Sequence, residues 1–192
     1  MEIIAVLSLV VSLAANIPYI IEIVQGKAKP ERISWLLWTI LGAVYFFSTI
    51  FDTGATLFTL GELIAPVIIL ILAFKYGVGG KSRFDLISLA VALIALAILF
   101  STTHVLLSLL LALFVDGIGA MLTIRKLRID PTSESRAFWG LTAIAGVLAV
   151  ISLEEFTVNA LLFPVYVGLL SAYIFLVSKP AAKQHIEAIE KL

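Results

Sequence analysis

The chain has 192 residues, 61% of them hydrophobic and only 14% charged, with a mean hydropathy of +1.14. Soluble domains are about 45–50% apolar and about 25% charged, so a soluble enzyme is excluded, and a formal net charge of zero with no basic tail argues against nucleic acid as a partner. The absence of cysteine excludes disulfides, thiolate metal sites and Cys nucleophiles, and His104 and His185 lack the spacing of a zinc site. No catalytic residue, resident metal or cofactor is expected.

Apolar runs separated by short polar breaks predict seven transmembrane helices, each about 20 residues long. They cover Ile3–Val24, Ser34–Phe51, Ala55–Tyr76, Phe84–Phe100, Val105–Ile124, Ala137–Leu153 and Phe156–Val177. The breaks are Gln25-Gly26-Lys27, Asp52-Thr53-Gly54, Gly77-Val78-Gly79-Gly80, Arg125-Lys126 and Glu154-Glu155. The first run is expected to stay in place as a span. No basic region precedes it, its apolar stretch is too long for a leader, and no small-residue cleavage site follows. Only 179–192 is polar enough to form a tail outside the membrane.

The thirteen Lys and Arg residues partition cleanly among the connections. Lys27, Lys29 and Arg32 follow span one, and Lys75, Lys81 and Arg83 flank the end of span three. Arg125, Lys126, Arg128 and Arg136 follow span five, and Lys179, Lys183 and Lys191 lie at the C-terminus. The N-terminus and the remaining connections carry only Glu2, Asp52, Glu154 and Glu155. Basic residues mark the cytoplasmic side. Seven spans with the N-terminus outside and the C-terminus in the cytoplasm put every basic residue inside.

A shift of 101 residues lays Pro30, Ser34 and Trp38 on Pro131, Ser135 and Trp139. Both copies read P-x3-S-x3-W across an inside loop and into a helix. Ser is also an ordinary helix cap and Trp an ordinary interfacial anchor. Topology supports a repeat independently, because spans 1–3 and 5–7 both begin outside and need an odd linker, span four. Parallel repeats of this kind build one class of transporter.

On these features the chain resembles the SWEET/PQ-loop superfamily, which has the same 3+1+3 plan and orientation. That family carries a Pro-Gln pair late in the first helix of each bundle, then a basic loop and a Ser-rich helix start. Here Pro18-Tyr19 and Gly119-Ala120 stand at those places. The resemblance implies two parallel three-helix bundles plus a linker helix: 1–80, then 81–103, then 104–178, with 179–192 as a cytoplasmic tail. It also implies that asparagines on the third helix of each bundle contact substrate, a pattern that Asn159 matches and Glu62 replaces with a charge.

Ionisable groups inside a membrane are costly and tend to face a cavity or a partner. Glu62 and Asp116 lie near mid-span, and Asn16 and Asn159 join them. The repeat relates Asn16 to Asp116 within one residue, and Glu62 and Asn159 both shortly precede a proline. Together they form the expected solute-binding set, with Asp116 and Glu62 as candidate carriers of a coupling proton. The plainer alternative is that they hold helices together through hydrogen bonds. Pro18, Pro66 and Pro164 interrupt helix hydrogen bonding, and Gly119 takes the corresponding place in span five. These four are the expected hinges. Tyr19, Trp38, Tyr45 and Trp139 are candidates for stacking on a solute. Trp35, at a helix entry, is expected to anchor at the interface. Glu22 and Lys75 are expected to snorkel toward the inner surface, and His104 is expected to face solvent.

These features predict a membrane carrier or facilitator of a small polar solute, a sugar, an amino acid or a vitamin, moved by alternating access either passively or with coupling to protons. The alternative is a receptor or sensor on the same scaffold that binds its ligand without moving it. The expected partners are the solute, the lipid bilayer and a second copy of the chain.

Overall fold

The structure is a computed structural model that describes the backbone of residues 2–49 and 56–180, with side chains in 2–47 and 63–180. Asp52 and the tail beyond residue 180 lie outside the described residues, as does the Glu62 side chain. Within them the chain forms seven α-helices. They are α1 Glu2–Val24, α2 Arg32–Thr49, α3 Thr56–Tyr76, α4 Arg83–Ser101, α5 Val105–Ile129, α6 Arg136–Ile151 and α7 Val158–Val177. An isolated bridge between Glu31 and Val78 is the one extended pairing among the described residues.

Four helices, α1, α4, α5 and α7, are long and apolar enough to cross a bilayer, while α6 and the stretches Arg32–Phe47 of α2 and Leu63–Tyr76 of α3 are apolar but shorter. Their outer faces carry large apolar side chains such as Ile3, Phe74, Ile94, Phe100 and Leu176. Water would penalise so broad an apolar surface, and lipid does not. The chain is an α-helical membrane protein.

Helix ends follow local chemistry. Ser82 and Asp85 form a reciprocal capping box at the start of α4, and Ser135 and Thr157 cap α6 and α7 through their hydroxyls. The sequence expectation for α5 needs correction. The helix does not stop before Arg125 but runs on to Ile129. Arg125 and Lys126 find acidic partners within the fold, and cations suit the negative end of a helix. Pro18, Pro66 and Pro164 lie inside α1, α3 and α7.

The packing has a regular plan. Helix α6 packs on α7 and α1, α2 packs on α3 and α5, α1 meets α3, and α5 meets α7. Exchanging α1 with α5, α2 with α6 and α3 with α7 turns this set of pairs into itself. Helix α4 stands outside the set, against α5 and, more lightly, α2. The loops repeat as well. Val78 N donates to Pro30 O at 3.0 Å, and 101 residues on, Lys179 N donates to Pro131 O at 2.7 Å. Helices α2 and α6 begin 104 residues apart, within one turn of that register.

Candidate functional site

The α1–α2, α3–α4 and α5–α6 connections and the end of α7 meet at one end of the molecule, which is the basic end. Just inside it lies an aromatic cluster. Tyr19 of α1 stacks on Phe138 of α6, with ring centres 4.9 Å apart, and lies 5.3 Å from Trp35 of α2. Trp38 of α2 meets Trp139 of α6 edge-on at 5.9 Å. Trp35 Nε1 donates to Tyr19 Oη at 3.3 Å. All three tryptophans of the chain are in this cluster.

Trp35 is therefore not an interfacial anchor. It is only 3% exposed and packs against Tyr19, Trp38 and Phe138. Its indole N–H finds the tyrosine hydroxyl, so burial leaves no donor unmet. Trp139 is likewise buried, and its indole N–H donates to Glu134 Oε2 at 2.9 Å.

Below the cluster is a buried ion pair between Lys126 of α5 and Glu134 of the α5–α6 connection. Lys126 Nζ also donates to the carbonyls of Lys29 and Ser133. Lys29 N donates to Ser133 O at 2.9 Å, so the two loops are bonded directly. A second seam joins α2 to α5. Ser34 Oγ lies 2.6 Å from Gly119 O and 2.8 Å from Glu31 Oε2, and Thr123 Oγ1 donates to Ser34 Oγ at 3.1 Å. Gly119 allows this approach, because a Cβ there would sit 3.1 Å from Trp38 Nε1.

The predicted site residues have different surroundings. Asp116 on α5 accepts a hydrogen bond of 2.8 Å from the Tyr166 hydroxyl of α7, with the Trp38 indole also in reach of its carboxylate. Asn16 turns its amide N–H groups back to the Ser12 and Leu13 carbonyls of its own helix. Asn159 is exposed in the first turn of α7, not at mid-span. The hydropathy run from Phe156 already puts it near the start of its span, and the Thr157 cap begins the helix two residues later still. Glu62 is on α3, but its side chain is outside the described residues. Of the expected hinges, Gly119 has its carbonyl engaged by Ser34. His104 is the exposed N-cap residue of α5.

Sequence reasoning missed Tyr166, Glu31 and Glu134, and read Ser34 only as part of the repeat and as a helix cap. Glu31 and Glu134 carried a usable signal, as acids within mostly basic connections. Tyr166 carried none, since a tyrosine in an apolar helix reads as ordinary core.

A cleft of about 310 Å³ opens at the basic end, lined by Glu31, Gly79, Asp85, Arg125, Lys126 and Asp130 among others. A smaller one of about 190 Å³ lies between Glu22, Lys27, Glu134, Arg136 and Lys179. Charges in the first cleft are mostly matched: Arg125 Nη1 binds Asp85 Oδ1 at 2.9 Å, and Lys29 approaches Asp130 at 3.9 Å. Hydrogen bonds from Thr132 hold the Asp130 carboxyl below its ordinary range. Burial pushes the Glu31 carboxyl the other way, upward, against the opposing pull of its bonds to Ser34. No three His, Asp or Glu side chains gather as a metal would need among the described residues. Compared with known proteins, the chain matches no family model, no curated protein and no solved structure.

Proposed function

We propose that the chain is a secondary carrier for a small polar solute, a sugar, an amino acid or a vitamin. It works by alternating access between one half built from α1–α3 and another from α5–α7, with α4 as the linker. All seven helices cross the membrane in this reading, with the basic end in the cytoplasm and the N-terminus outside. The plan is that of the SWEET/PQ-loop superfamily. The observation that carries the reading is the exchange of packed pairs: α1 with α6 mirrors α5 with α2, so each half leans on the other through equivalent helices. Two equivalent halves meeting at a common axis can rock about a fixed site.

Near that axis stand Trp38 and Trp139, one from each half, with Asp116 and Tyr166 beside Trp38. Aromatic faces and a carboxylate suit a hydroxyl- or amine-bearing solute. The bonds from Ser34 to Gly119, from Lys29 to Ser133 and from Lys126 to Lys29 cross between the halves at the basic end. They suit a state shut toward the cytoplasm. Asp116 and Glu62 are the acids within the spans that would carry a coupling proton.

Purified protein in liposomes tests this. Flux or counterflow of one member of a panel of sugars, amino acids and vitamins is expected. Asp116→Asn should abolish accumulation driven by a pH gradient and leave solute exchange measurable. A ligand that raises the melting temperature by mass action, with no flux under any gradient, would replace the carrier by a receptor.

A further inference from the structure

Glu31 is 3% exposed and lies where the α1–α2 loop enters α2. Its two carboxylate oxygens are treated very differently. Oε2 accepts from Ser34 N at 2.6 Å and lies within bonding distance of Ser34 Oγ. Oε1 is buried with no hydrogen-bond partner among the described residues. It rests against Gly79, whose φ of +81° and missing side chain make the room, and a Cβ there would collide with it. Both residues line the larger cleft at the basic end. An ionised oxygen without a donor in such a place is costly, and a proton relieves it.

The charged groups around this cleft are already committed. Lys126 on α5 is taken by Glu134 and two carbonyls, and Arg125 of α5 by Asp85 of α4 and by Ser82. Lys29 lies beside Asp130, and Arg32 bonds the Ala73 and Gly79 carbonyls. None of these cations donates to Oε1, and Asp85 adds repulsion.

We propose that Glu31 is a proton-binding site at the basic end, and that its proton is read by the contact between α2 and α5. The reading device is the Ser34 hydroxyl, which has one proton and two acceptors, Glu31 Oε2 and Gly119 O. When Glu31 is ionised, its carboxylate is the stronger acceptor and takes the hydroxyl proton. When a proton from solvent binds Oε1, the carboxyl becomes neutral and Ser34 turns its proton to Gly119 O. Thr123 donates to Ser34 in both states. Protonation thus strengthens the bond from α2 to α5, and deprotonation weakens it. In the carrier proposed above this would favour the inward-shut state at acid pH, and the proton itself can be measured without any flux.

Trp38 and Trp35 lie within a turn of Ser34, so the intrinsic fluorescence of the intact protein in nanodiscs reports on the seam. The Asp116 carboxylate adjoins Trp38 and is itself a proposed proton carrier, so the reference protein is Asp116→Asn. Its emission is expected to titrate through one transition lying above the ordinary carboxyl range. Adding Glu31→Gln should remove that transition and hold the acid-form spectrum at every pH. Adding Ser34→Ala instead, which removes one bond to the ionised form, should shift the midpoint upward. No transition in Asp116→Asn, its survival when Glu31→Gln is added, or an unshifted midpoint when Ser34→Ala is added would each overturn the assignment. If the Glu31→Gln double variant does not fold, the Asp116→Asn titrations with and without Ser34→Ala still decide it.

Discussion

Lys126 sits in the last turn of α5, and a lysine at a helix end usually reaches for water. Here its side chain is only 9% exposed and is bound to Glu134, whose side chain is fully buried. Glu134 in turn receives the Trp139 indole N–H. Burying two charges is expensive, so the pair adds little over an apolar substitute, but removing one member strands the other. Lys126→Met is therefore expected to destabilise the protein by about 3–5 kcal/mol. Adding Glu134→Gln should restore part of that loss, because Gln keeps an acceptor for Trp139 and carries no charge. Thermal melts in detergent micelles measure both. A Lys126→Met variant that melts like wild type would reduce the pair to an ordinary surface contact.

Among the elements, α6 and α7 approach closely at a pair of glycines. A Cβ on Gly146 would lie 2.7 Å from the Gly168 Cα and 3.1 Å from the Pro164 carbonyl. These are backbone atoms and cannot step aside. A Cβ on Gly168 would meet the Gly146 backbone at 3.7 Å, an ordinary contact. Small residues at helix interfaces in membranes allow just this kind of packing. Gly146→Ala should cost about 1–3 kcal/mol, the usual penalty of overpacking, while Gly168→Ala should be close to neutral. Chemical unfolding of the two variants side by side tests the asymmetry, and equal losses would contradict it. The helix ends show how far local sequence reaches. The Ser82, Ser135 and Thr157 caps follow ordinary rules. The last turn of α5 does not, because its basic residues look like loop until Asp85 and Glu134, from other segments, are brought to them.

For the whole molecule, orientation is the expectation most open to direct test. The chain has no native cysteine, so single introduced cysteines can be labelled without background. In the proposed topology Lys81→Cys and Arg128→Cys should react only from the cytoplasmic side and Asp52→Cys only from outside. Labelling of Lys81→Cys from outside would end the seven-span proposal, since the basic residues fixed it. The repeat has a counterpart in the fold. The 101-residue register read from Pro30, Ser34 and Trp38 recurs in the bonds that tie Val78 to Pro30 and Lys179 to Pro131. Trp38 and Trp139, matched by that register, meet edge-on.

Hydropathy sets how many apolar helices form and roughly where each one lies, because backbone groups in lipid must be satisfied within the helix itself. That property is local, so the sequence carries it almost unaided. The spacing of prolines, serines and tryptophans carries the internal repeat in the same way. Which polar groups meet is a different matter, decided by distances between segments far apart in the chain. Asn16 and Asp116 look alike in sequence, yet one bonds its own helix and the other a tyrosine 50 residues away. Trp35 looked like an anchor until Tyr19 and Phe138 closed over it. Burial and pairing arise from packing between helices, so only the tertiary structure could assign them.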